Sequence, residues 1–233
     1  MPPPPATRAA LLVLADGRFP AGGHAHSGGA EQAVAAGRIT DAAELEAYCR
    51  GRLHTSGLTS AALAAAACAG ADPLSLDEAA DARTPSPALR ATARRLGRQL
   101  LRAARAAWPS AELDALAEAG PRGVHQPVVL GLAARAAGLG PGDAAHTAVY
   151  EAVSGPTTAT VRLLGLDPFE AAGVLARLAP ELDDVAARAT EAGVRAAAGG
   201  RADVGEVLPA AGAPLLDIAA EEHAVRTARL FAS

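Results

Sequence analysis

No stretch of this 233-residue chain alternates apolar and polar residues with a period of two. Apolar positions recur every three to four residues instead, a spacing that a helix buries on one face and a strand cannot. The clearest case opens with Ser86 as N-cap and Pro87 at the first helical position. Leu89, Ala93, Leu96, Leu100, Ala103, Ala104 and Ala107 then hold one face until Trp108-Pro109. Further start signals stand at Asp41 with Glu44, Ser75 with Glu78, Ser110, and Asp167-Pro168-Phe169-Glu170. Because the apolar content is mostly Ala and Leu, helices are expected to pack close together, and Gly131 marks one place for such an approach. The fold expected is all-α, a single multi-helix domain of about ten helices over residues 7–233. Breaks are expected at Gly57 and before Pro180, and an irregularity at Ser154-Gly155-Pro156 beyond which the helix continues to Leu164, since proline lacks the amide that a helix interior needs. Residues 1–6, rich in proline, read as a flexible lead-in, and 199–213, rich in Gly, Pro and Ala, as a flexible segment. The tail 214–233 reads as one last helix reaching the C-terminus, with Leu215, Leu216, Ile218, Leu230 and Phe231 in want of a surface.

Several function classes drop out at this level. The formal charge is −4, so no basic field exists to hold nucleic acid. The longest weakly polar run, Leu58 to Ala71, is too short to span a membrane, and the N-terminus has no signal-peptide pattern. All the cationic residues are arginine, so no lysine is available as a nucleophile. Cys49 and Cys68 lie in Ala-rich helical sequence without CxxC spacing, which favours two reduced buried thiols and a cytoplasmic location. Arg94, Arg98, Arg102 and Arg105 line up opposite the apolar face of their helix, either as a solvated surface or as a docking ridge for an acidic partner.

The stretch LLVLADGRFPAGGHAHSGGAE, Leu11 to Glu31, is the densest in residues chosen for backbone geometry. His24-Ala25-His26 supplies two imidazoles without the further ligands a metal site needs, so local hydrogen bonding or an interface contact is the favoured reading. As a phosphate cradle the loop lacks GK[ST] and a preceding strand, and Glu31 puts negative charge where the anion would sit. Ser27 beside His26 has no GxSxG context for a nucleophile. His125 is a lone histidine at a helix entry, and His223, among Glu221, Glu222 and Arg226, has the wrong order for HExxH. Residue chemistry alone yields no catalytic constellation, no cofactor and no metal set.

This loop, through Asp16, Phe19, Pro20, Gly22 or Gly23, Ala25, His26, Ser27, Gly29 and Glu31, resembles the N-terminal signature of the F-type urease accessory proteins, the UreF family. Three further blocks agree in order: Gly97-Arg98-Gln99-Leu100-Leu101, then His125-Gln126-Pro127-Val128-Val129-Leu130-Gly131, then Pro214 through Asp217-Ile218 and His223 to Arg229-Leu230-Phe231-Ala232-Ser233. The chain departs from the pattern at His24, where an aromatic is usual, at Ala224, which replaces an acid, and at Gly165 and Ala172. The resemblance implies a helical, non-catalytic homodimer. It would join the UreD/UreH-type accessory protein to the UreG GTPase for nickel insertion into apo-urease, or alternatively regulate GTPase turnover. It also implies partner-binding roles for Phe19, Pro20, His26, Ser27, Glu31, Asp217, His223, Arg229, Leu230 and Phe231.

Overall fold

The computed structural model describes residues 8–199, 204–227 and 229–231, and every regular element among them is helical. The proline-rich residues 1–6, the side chain of His24, residues 200–203 and the last two residues lie outside that description. In chain order the helices are α1 (Arg8–Ala15), α2 (Ala30–Ala35), α3 (Ala42–Arg52), α4 (Leu58–Ala69), α5 (Pro73–Ala82), α6 (Pro87–Ala107), α7 (Ala111–Ala119), α8 (Gln126–Ala136), α9 (Pro141–Leu164), α10 (Pro168–Gly199), α11 (Val204–Val207) and α12 (Pro214–Ala224).

The architecture is built around α4. All its residues except Ser60 and Ala69 are buried, and α8, α9 and α10 enclose it. A helix of alanines offers little area to each neighbour, so the neighbours must come close. They do so at glycines: the missing Cβ of Gly131 on α8 faces the Ala64 carbonyl, and that of Gly193 on α10 faces the Ala62 carbonyl. Cys49 and Cys68 are free and buried in this core, and burial pushes the Cys68 thiol up to about 11.

Neither expected break is present, and α9 runs uninterrupted through Ser154-Gly155-Pro156. Gly57 keeps helical angles, φ −63° and ψ −51°, and α3 runs into α4 through a π-helical turn, Leu53–Gly57. α10 continues through Pro180, and α9 continues through Pro156. At Pro156 the remedy is visible. Proline cannot donate to the carbonyl of Ala152 four residues back, and the Nε of Arg52 donates to that carbonyl instead at 3.0 Å. Arg52→Met, which keeps much of the aliphatic stem, is expected to cost about 1–2 kcal/mol in urea unfolding. In a Pro156→Ala background, where the helix regains its own donor, most of that cost should vanish, so the double-mutant cycle isolates the hydrogen bond.

Side-chain caps account for the starts of α3, α5, α6 and α7. Asp41 accepts from the Glu44 amide, Ser86 from Leu89 and Ser110 from Leu113. α5 begins earlier than the Ser75–Glu78 pair suggested: Asp72 is the cap, Pro73 follows, and Ser75 sits inside the first turn donating to Asp72. Beyond 203, Arg83 donates to the carbonyls of Gly205, Leu208 and Pro209, which ties that passage to the end of α5. The last helix stops at Ala224, so the tail is not helical to its end.

Candidate functional site

The glycine loop is pinned to the helices on both sides of it. Phe19 stacks on Trp108 at the end of α6, ring centroids 5.6 Å apart. Tyr48 on α3 donates to the Gly28 carbonyl at 2.9 Å. Gly29, the N-cap of α2, takes φ 86°, a left-handed conformation that glycine adopts without Cβ strain. A Cβ there would also meet the Tyr48 hydroxyl at 2.7 Å and Leu216 of α12 at 3.4 Å. Ser27 is fully buried, and its hydroxyl accepts from the Glu31 amide at 3.3 Å, a capping role in the first turn of α2.

Glu31 then does what a surface helix start would not: its carboxylate points inward. It accepts from His223 Nε2 at 3.0 Å, from the Leu230 amide at 2.7 Å and from the Phe231 amide at 3.0 Å. Burial works to raise this carboxyl; the bonds from Leu230, His223 and Phe231 overcome it and hold the group below its ordinary value. Around this lock, Gln32 donates to Glu222 at 2.8 Å and Arg226 donates to Gln32 at 3.0 Å. Phe231 is buried, with the Arg162 guanidinium 5.0 Å from its ring centroid. The other end of α12 is tied to the start of α6. Asp217 accepts from the Ser86 amide at 3.2 Å, and Glu221 accepts from the Ser86 hydroxyl and from the Ala88 amide at 2.9 Å. Two carboxylates at a helix N-terminus also complement its dipole.

The two signature blocks at opposite ends of the chain therefore meet. Phe19, His26, Ser27, Glu31, His223 and Phe231 are buried or half-buried, whereas Pro20, Arg229 and Leu230 are exposed. Asp217 spends its carboxylate on the cap of α6. Sequence reasoning missed Tyr48, Glu221, Gln32 and Arg162. Glu221 alone had a local signal, standing four residues after Asp217 on one helix face. On the outward side of α12 and just past it, Leu215 is 67 %, Ile218 55 % and Val225 82 % exposed.

The arginine row on α6 is only partly a surface. Arg94 is turned inward, bonded to Asp77 and Asp81 at 2.7 Å each and to the Gly123 carbonyl. Asp77 also accepts from the backbone and Nδ1 of His125, which locks the His125-Gln126-Pro127 block to α5. Among the described residues no group of three or more His, Cys, Asp or Glu could hold a metal ion, and no helix is long and apolar enough to cross a membrane.

Comparison with known proteins identifies the family. The UreF family model matches residues 39–179. The urease accessory protein UreF of Mycolicibacterium vanbaalenii is 44 % identical over 97 % of this chain and 98 % of its own length. Those of Mycobacterium sp. strain JLS and Mycobacterium tuberculosis are 44 % and 41 % identical, again over 97 % of this chain and 99 % and 98 % of their own lengths. With helices throughout, the two terminal blocks locked together and nearly full-length similarity, the chain belongs to the UreF family of urease accessory proteins.

Proposed function

We propose that this protein is a non-catalytic, homodimeric adaptor of the cytoplasm that joins a UreD/UreH-type accessory protein and the UreG GTPase so that nickel, as cargo, reaches apo-urease. One observation supports the reading above the rest. An exposed apolar face formed by Leu215, Ile218 and Val225 is carried on a helix fixed at both ends, by Asp217 and Glu221 on α6 and by His223 on Glu31. An apolar face held rigid and left to solvent is what a protein-binding element needs, since its ordering cost is met before the partner arrives.

The test is co-expression with the cognate D/H and G proteins followed by size exclusion with mass determination. A ternary complex containing two copies of this chain is the expected result, and a chain that elutes alone among soluble partners would sink the adaptor reading. Leu215→Asp with Ile218→Asp is expected to weaken assembly by at least about 100-fold, since central apolar anchors are each worth 2 kcal/mol or more. Point changes are preferable to deleting 214–233, because Asp217 and Glu221 on the same helix cap α6. In the alternative reading the chain regulates GTP hydrolysis through exposed arginines such as Arg98 and Arg102 on α6. Partner GTPase rates with and without this chain separate the two, and an unchanged rate removes the alternative.

A further inference from the structure

α12 packs on α2 and α6, and a groove of about 280 Å³ separates it from α3. The groove exists because the α3 side runs short of side chain. Ala47 and Gly51 stand one turn apart on an exposed face of α3, and buried Ala33 of α2 lines the groove as well. A Cβ at Gly51 would meet nothing within 4 Å, so none of the described residues fills the space beside it. Pro214, Leu215 and Leu216 form the wall on α12, and Leu215 belongs at the same time to the exposed apolar face of that helix. The groove and that face are one continuous surface, of a kind that a protein covers and a free small molecule does not.

The charge at this groove is of one sign. In a chain of net charge −4, its lining holds two arginines, Arg38 and Arg52, and no carboxylate. Arg52 is committed through its Nε to the Ala152 carbonyl. Arg38 is placed by the backbone: α2 closes at Gly37, φ 67°, and the Arg38 amide returns to the Ala33 carbonyl at 2.8 Å. Arg38 is exposed and has no carboxylate partner among the described residues. An apolar slot beside an uncompensated cation is complementary to an apolar side chain that has a carboxylate next to it.

We propose that this groove receives an apolar side chain of a partner protein, and that a carboxylate beside that side chain pairs with Arg38. The docking surface then spans α3 as well as α12, with Leu215 shared between the outer face and the groove. The inference rests on the adaptor reading and adds to it the chemistry of the partner's contact segment.

The full chain, wild type and variant, is titrated against the purified cognate D/H and G proteins, and its own Tm and oligomeric mass are measured in parallel. Gly51→Leu fills the groove from the α3 side. It is expected to keep or raise Tm, because its side chain enters open space and glycine is the poorer helix former, and to leave the mass unchanged. Binding of one partner should nevertheless weaken by about tenfold or more. Arg38→Glu should weaken binding of that same partner, and Arg38→Gln should flatten the loss of affinity with added salt seen for wild type. Wild-type binding with affinity unchanged in Gly51→Leu and Arg38→Glu would remove the groove and leave the adaptor reading standing, whereas wild type bound by neither partner would remove both. A lower Tm in Gly51→Leu would mean that the chain itself fills the groove, and a changed mass in either variant that a second copy does; each overturns the proposal.

Discussion

Glu31→Ala is expected to release the chain beyond Ala224 from the body of the protein and to lower the free energy of unfolding by about 2–4 kcal/mol. The carboxylate serves three donors at once, the His223 imidazole and the amides of Leu230 and Phe231. Alanine leaves all three facing a buried gap, and the backbone amides can be hydrated only if the tail leaves the surface. Phe231 and its contact with Arg162 would go with it. Glu31→Gln keeps the volume but helps little: both carboxylate oxygens accept, so one of the donors must then face an NH₂ group. Amide exchange is the direct readout, with protection at Leu230 and Phe231 lost while that of α4 is kept. Partner assembly should fall with it, because α12 loses one of its two anchors.

The same carboxylate makes the tail sensitive to acid. Because its value in the folded protein is held below the ordinary 4.5, the stabilisation is fully present above about pH 4.5 and is lost as the pH falls through the lowered value. Other depressed carboxyls, Asp77 among them, titrate in the same direction, so the informative quantity is the difference between wild type and Glu31→Gln. That difference is expected to be largest near neutrality and to shrink on acidification. A gap of constant size down to pH 3 would mean that the tail is held by something other than this group.

What could be read from the sequence, and what could not, divides by the distance of the remedy. Helix starts at Ser86-Pro87 and Ser110 were legible because the cap and the amide it serves lie three residues apart. The irregularity expected at Pro156 does not interrupt α9, and the donor that serves the Ala152 carbonyl there is Arg52, 100 residues earlier. Arg94 has the spacing of a surface stripe, yet Asp77 and Asp81 on another helix draw it inward. The tail kept a helical pattern to its end, but the acceptor for its last amides sits in α2, some 200 residues away. Both ends of the candidate site were legible as motifs for the same reason that their junction was not. Each block is unusual in itself, whereas of the three donors that join the tail to the Glu31 carboxylate only His223 shows in residue type, the other two being backbone amides.

Gly131→Ala is expected to destabilise the protein by about 2 kcal/mol or more, even though alanine is the better helix former by about 1 kcal/mol. A Cβ at Gly131 would lie 2.1 Å from the Ala64 carbonyl oxygen, 2.7 Å from the Ala67 Cβ and 2.9 Å from the Cys68 amide nitrogen. These neighbours are backbone atoms or a Cβ, with no flexible side chain to swing aside, so α8 and α4 must separate and thin every contact along their length. Gly193→Ala meets the Ala62 carbonyl, the Ala65 Cβ and the Ala66 amide at 2.7 Å each and should cost somewhat less. The two glycines press on the same helix from α8 and α10, so α4 cannot relieve one contact without moving within the other. The double variant is therefore expected to lose more than the sum of the singles, an interaction visible as non-additivity in urea unfolding. Gly155 supplies the control: it lies inside α9, a Cβ there meets nothing within 4 Å, and Gly155→Ala should stabilise by roughly 0.5–1 kcal/mol. If Gly131→Ala stabilised the protein as Gly155→Ala does, α4 could not be clamped as closely as the glycines require, and the alanine-rich core would need another source of cohesion.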